Sequence, residues 1–416
     1  MKPSDISEIK HLYQLDPDRC NIHRISGCFV NGDKEKVVHF TESFLTLPEE
    51  ERFKYLELFR RCLSGTRDKN LLLLRPRQVH REDHSGDMTG EECKLLQALI
   101  ETDLKDDDTL QEFYDHVIGS FHYADNYLIL LARQNYDVPG KTLDGLELED
   151  ASEEVYSHIL CAICPVKPTK PGLGYVPAEN AFHNLTPGQI VELPMNGFLY
   201  PAFIERSQDP DYVLYYTRDT VDIRPDFADS VLGSATPLAA AGQKKSFGAL
   251  LTDTLGEEGD LSTVLQIQEN LQTLIREKKE EQESPVLGKE DVRVILRDCG
   301  VDEDRMKDFD ERFDAVFTLP PEPEESEPEG EEPSEPAAKA DTAMARYPEE
   351  IPVEERIFVA SNLVPQRTLE VKNADFTIRI NTDRTELLET RVIDGRKCLV
   401  IELEDGVSVN GIPIRV

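Results

Sequence analysis

Between Leu319 and Asp341 the chain reads LPPEPEESEPEGEEPSEPAAKAD, and that composition cannot support a packed core. Pro and Glu dominate, Lys339 alone interrupts the acid, and after Leu319 no large apolar residue follows until Met344. Burial on this scale does not offset the entropy of ordering the backbone, and the like charges push the segment open. It is expected as a stiff, extended, disordered acidic linker. A chain carrying it must fold on either side of it, as a long N-terminal body and a short C-terminal module. The acidity is not confined to the linker. Its nine acids against one Lys leave −28 of the net −36 on the rest of the chain.

At 416 residues the chain is long enough for two or three domains with sizeable cores. The start, MKPSDISEIKHLYQL, lacks the apolar stretch of a signal peptide. The purely apolar runs are short pieces such as Tyr127–Ala132, far below the ~20 residues that span a bilayer. The expectation is a cytoplasmic protein with no membrane partner. The eight Cys are scattered, mostly among apolar neighbours, and read as reduced core residues rather than a disulfide framework. Strong acidity argues against a surface that coats DNA, which needs clustered Lys and Arg, but leaves room for a local basic groove or for docking onto basic partners.

Periodicity predicts an α+β fold with a mostly antiparallel sheet and flanking helices. CNIHRISGCFV and KEKVVHF flank Asn31-Gly32 and read as a hairpin with a two-residue turn. A helix starts at Pro48, its stripe formed by Phe53, Leu56, Leu58, Phe59 and Leu63. Residues 75–90 read as an exposed loop, with helices over 91–104 and 108–119. The apolar runs 126–138 and 155–166 fit central strands, and 197–203 with 211–217 a second antiparallel pair. Helices fill most of 224–317. The expected divisions are a body over 1–258, a helical extension over 259–318, the linker over 319–348 and a β-hairpin module over 349–416. In that module Asp394-Gly395 and Asn410-Gly411 mark turns.

Candidate catalytic motifs fail on inspection. NYDVPGKT (135–142) ends like a phosphate-binding loop, but Asn135 stands where that loop needs Gly and LDGLELED is poor helix-starting sequence. Cys161 and Cys164 have redox or zinc spacing, yet they lie within an apolar strand whose alternation sends them to opposite faces, and no second such pair exists. His80 and His84 are four apart, but Arg81 occupies the zincin glutamate position and the surroundings read as loop. His116, His122 and His158 have acid–base chemistry but no nucleophile motif beside them. No catalytic residue, metal site or cofactor is assigned. Among the few basic clusters, Gln243-Lys244-Lys245 near a helix start is the best candidate anchor for phosphate or an acidic partner, with Arg75 and Arg77 as a second group.

ISEIKHLY, CNIHRISGCFV, YDVPGKTLDG, ILCAICPV, GFLYPAFIERS and LLETRVIDGRKCLVIELEDGVSVNGI together resemble an uncharacterised bacterial domain-of-unknown-function family over nearly the whole chain. Four blocks in order are also similar to the nucleoid-associated protein family of about 37 kDa. They are LQEFYDHVIGSFHYADNYLILL (110–131), GFLYPAFIERSQD, DFADSVLGSATPLAAAGQKKSFGALLTD (226–253) and ELLETRVIDGRKCLVIELEDG (386–406). The second resemblance implies action at the bacterial nucleoid or on a chromosome-bound enzyme. The leading reading is therefore a non-enzymatic interaction protein that reaches DNA through a protein partner or a local surface near Lys244 and Lys245. The linker would give the β module reach to a second site. The alternatives are an enzyme with a site near the central sheet, involving His122 and His158, and an acidic protein that mimics DNA.

Overall fold

The computed structural model describes residues 1–14, 21–80, 87–141, 147–176, 179–185, 187–256, 261–302, 304–317, 356–364, 368–372, 376–381, 384, 387–402, 408–409 and 412–413. The linker and the Asn410-Gly411 turn lie outside them. Two compact units are present, one running from Met1 to Ala239 and the other beginning at Ala240 and taking in the described residues after the linker.

The first unit is built on one eight-stranded antiparallel sheet. Its order is Lys36–Ser43, Ile22–Val30, Tyr127–Lys141, Glu147–Pro168, Asn196–Tyr200, Val213–Thr217 and Leu71–Leu74, and Gln189–Val191 makes a further pairing with the long Glu147–Pro168 strand. Side chains alternate across a sheet, and here both faces are covered, which is why the central strands read as unbroken apolar runs. One face (Cys28, Ile129, Leu131, Ile159, Cys161, Ile163) packs under α3 (Glu91–Glu101), α4 (Asp107–Ser120) and α5 (Pro225–Leu232). The other (Ile25, Leu128, Leu130, Leu160, Ala162, Cys164) packs under α1 (Pro3–Leu12) and α2 (Glu49–Cys62).

Three sequence expectations differ in detail. Asn31 and Gly32 do not form a two-residue turn. The strands pair up to Val30 and Lys36, and the loop between is organised by Asn31, whose Oδ1 accepts from the backbone N–H of Asp33 at 3.1 Å and of Glu35 at 2.8 Å, with Lys34 in the left-handed region. Residues 75–90 are not wholly loop, because Gln78–His80 pairs with Asp87–Thr89. On α2 the buried positions are Leu56, Phe59, Cys62 and the adjoining Leu63, while Phe53 is 52% exposed.

The second unit is mostly helical: α6 (Ala240–Leu255), α7 (Leu261–Glu280), α8 (Lys289–Asp298), α9 (Phe309–Ala315) and α10 (Ala360–Leu363). Arg305 and Arg312 donate to the carbonyls of Leu255 and Asp253 at 3.0 and 2.8 Å, satisfying the C-terminal end of α6. Phe358, just beyond the linker, packs its ring 4.9, 5.7 and 5.3 Å from those of Phe317, Phe313 and Phe247, and the Phe358–Val359 strand pairs with Val286–Leu287. Arg356 reaches Asp314 at 3.3 Å, and the hydrogen bond from Lys289, with this second cation, holds the Asp314 carboxyl below its usual range. The chain thus enters and leaves the linker at one aromatic cluster. Farther on, Thr368–Lys372 pairs with Thr377–Asn381 and Leu388–Ile393 with Arg396–Ile401.

Candidate functional site

The long Glu147–Pro168 strand uses one edge twice. Asn196–Tyr200 pairs with Ile159–Ile163, and Gln189–Val191 with Val166–Pro168, so the intervening Glu192–Met195 must bow out of the sheet. Backbone bonds pin the bow, from Glu192 N–H to the Pro165 carbonyl and from Met195 N–H to that of Ile163, both at 2.9 Å. Beside it runs α2, held close to the sheet because position 197 is Gly: a Cβ there would stand 2.6 Å from Cys62 Sγ and 2.4 Å from the Cys161 carbonyl oxygen. Between helix and bow lies an open groove of about 1030 Å³. Leu128, Tyr55 and Leu58 give it apolar surface on one side, and Ile190, Val191 and Leu193 on the other.

That second wall belongs to an unusual stretch. Among the described residues, six of the seventeen exposed large apolar side chains fall between Leu173 and Leu193. Leu173, Tyr175 and Phe182 share one face of the Gly172–Val176/Ala181–Leu185 hairpin, where Tyr175 stands opposite Phe182. Backbone and side-chain bonds between Thr169 and Gly188 at 2.7–2.9 Å close the hairpin base directly onto the groove strand. Exposed apolar surface gathered in this way, with aromatic members and a polar rim, is the composition of an interface core.

The groove rim is acidic, with Glu50, Glu51, Glu57 and Glu192 against Lys54 and Arg218. Lys54 sits 3.4 Å from Glu57, and Lys167 sits 3.3 Å from Glu192, both exposed pairs of small energetic weight. Burial, with the Glu42 and Glu51 carboxylates nearby, raises the pKa of the Tyr55 hydroxyl.

The residues singled out from sequence are divided between the units. Arg77 is committed within the first. It ion-pairs with Asp229, and its backbone and Nε donate at 2.8 and 3.3 Å to the carbonyl of Gly233, the left-handed glycine that ends α5. Arg75 is exposed on the same segment, its carbonyl accepting from Ser234 Oγ. In the second unit Gln243 is buried, and its Oε1 accepts the Val359 N–H at 2.9 Å, tying α6 to the post-linker strand. Lys244 and Lys245 are exposed on α6.

The sheet histidines and thiols are occupied structurally. His158 is fully buried, stacked on Tyr156 with 4.4 Å between centroids and hydrogen-bonded to Tyr13 at 2.9 Å, and burial lowers its pKa to about 3. His122 lies on the surface beside Asp226 at 3.4 Å, and His116 meets the Ser230 carbonyl at 3.3 Å. Cys161 and Cys164 point into opposite cores, as alternation requires, and burial raises both thiols. Cys28 and Cys93 are pushed up to about 11 by the same cause. Pro139, Gly140 and Lys141 lie within an antiparallel pairing, not at a strand-to-helix turn. His84, Thr142 at the end of that motif and residues 143–146 after it lie outside the described residues. Among the described residues no cluster of three His, Cys, Asp or Glu is placed to hold a metal ion, and no helix is long and apolar enough to cross a membrane.

The chain belongs to a family described as a domain of unknown function, DUF4317, whose model matches residues 1–325 and 336–412. No curated protein and no solved structure matches it. None of these comparisons carries the resemblance to the nucleoid-associated family.

Proposed function

From membership in a family with no assigned activity, we propose that this chain is a non-catalytic interaction protein that works by docking a protein partner. Any association with the nucleoid, which the four resembling blocks imply, then runs through that partner rather than through direct grip on DNA. The observation that carries this reading is the concentration of exposed apolar side chains from Leu173 to Leu193 beside a groove, in a chain of net charge −36. Surface of this kind is costly to leave in water and is ordinarily kept for a partner. The candidate basic anchor supports the same choice. Gln243 is buried and committed to the Val359 backbone, and Arg77, though exposed like Lys244, Lys245 and Arg75, is paired with Asp229 and Gly233.

Two measurements on the pure, full-length protein test the proposal. Anisotropy of a labelled DNA duplex across a salt series should show no binding even at low salt. Capture from nuclease-treated host lysate should retain a protein at fixed stoichiometry. Duplex binding that weakens steeply with salt, and whose slope flattens in Lys244→Glu with Lys245→Glu, would overturn it in favour of direct phosphate contact.

A further inference from the structure

Within that interaction reading, on which this step rests, we infer that the groove between α2 and the Ile190–Leu193 bow receives a short amphipathic segment carrying Lys or Arg beside its apolar side chains. Three features select this occupant. The walls offer apolar surface from both sides, from Tyr55, Leu58 and Leu128 on one and from Ile190, Val191 and Leu193 on the other. Ile190 and Leu193 are 57% and 44% exposed, so this surface faces solvent while the groove stands open. The lining face of α2 runs from Glu50 to Leu58, about 12 Å at 1.5 Å per residue, which suits two to three turns of a docked helix.

Charge decides the rest. The lining carries four carboxylates and two cations, and the α2 face begins with the adjacent Glu50 and Glu51. A second copy of this chain, at −36, would bring like charge to that rim, and so would the chain's own acidic linker. Apolar anchors flanked by cations satisfy both the walls and the rim. They also exclude acidic competitors, because wrong-sign charges at a groove edge cost affinity.

The probe is a fluorescein-labelled 16-residue helical peptide with Leu at i, i+3, i+4 and i+7 spacing and Lys at the flanking positions. It is compared with a scrambled peptide of the same composition and with a twin bearing Glu for Lys, against the full chain. The scramble reports charge attraction alone, so the quantity read is the advantage of the patterned peptide over it. We expect at least a tenfold advantage, lost in the charge-neutral Ile190→Ser with Leu193→Ser and retained in Val221→Ser, a change at a 70% exposed position outside the groove lining. The Glu twin should not bind. Equal binding of patterned and scrambled peptides, an advantage that survives the groove substitutions, a Glu twin that binds as well, or no binding by any peptide would each overturn the assignment. Capture from lysate with the groove double variant separates the two levels. A partner still held by that variant leaves the interaction reading standing and the groove wrong, whereas no partner held even by the unaltered chain removes the interaction reading itself.

Discussion

The two compact units hold themselves together by different means. In the first, one sheet gathers stretches near and far in sequence, pairing Ile22–Val30 with Tyr127–Lys141 and Leu71–Leu74 with Val213–Thr217. The long strands Tyr127–Lys141 and Glu147–Pro168 follow one another in sequence and pair along most of their length, and helices close both faces. In the second, the joint is made across the linker. Phe358 completes a cluster with Phe247, Phe313 and Phe317, and its strand finds Val286–Leu287 some seventy residues upstream. The difference matters for what the linker does. The described residues on either side of the linker meet in one aromatic cluster, so the chain directly after it is not set loose to search for a distant site. The extra reach expected of a tether is confined to whatever lies beyond α10.

The largest effect should come from breaking that joint. Phe358→Ala removes three ring contacts at a fully buried position and should cost about 3–5 kcal/mol. Read by hydrogen exchange, the loss should appear as faster exchange in α6 and α9 with the eight-stranded sheet unchanged. Uniform acceleration across both units would erase the distinction between them.

A smaller, pH-dependent effect belongs to the first unit alone. His158 is held neutral in the fold with a pKa of about 3, against 6.5 for the ordinary side chain. Because the folded pKa is the lower one, the unfolded chain binds the extra proton between those values. The stability owed to this group is whole above pH 6.5 and falls as pH drops toward 3, by up to about 1.4 kcal/mol per pH unit. Urea midpoints for the native chain and His158→Gln should therefore converge on acidification, carboxylate contributions being common to both. Parallel pH profiles would mean that the burial of His158 is not sensed in this way.

What was legible in the sequence follows the same division. Apolar runs such as YLILLA and HILCAICPV declare central strands because both faces are buried, and the spacing of Cys161 and Cys164 correctly sends them to different cores. The return of Phe358 to Phe313 was not legible, since periodicity reports on neighbours and the acidic linker stands between them. The groove was barely legible. Of the α2 stripe read from sequence only Leu58 lines it, and GQIVELPMNG has too few residues per segment to announce a strand, a bow and a second strand on one edge. Gln243 reads in sequence as part of a ligand anchor beside two lysines, and the fold buries it with its amide oxygen accepting from the Val359 backbone, a contact across the linker that local pattern does not report.

The smallest effect separates two turns that look alike on paper. Asp394 and Gly395 sit between directly paired Ile393 and Arg396 with φ of 51° and 75°, a two-residue hairpin turn in the second unit. Asn31 and Gly32 in the first unit open a longer loop in which the Asn31 amide accepts from Asp33 and Glu35 and its Nδ2 donates to the Glu35 carboxylate at 3.0 Å. Glycine supplies the backbone freedom of a two-residue turn but none of these side-chain bonds. Asp394→Gly should therefore leave the melting midpoint of its unit nearly unmoved, while Asn31→Gly should cost about 1 kcal/mol. Equal tolerance at both positions would mean that the Asn31 amide does not hold its loop, and that backbone conformation alone governs both turns.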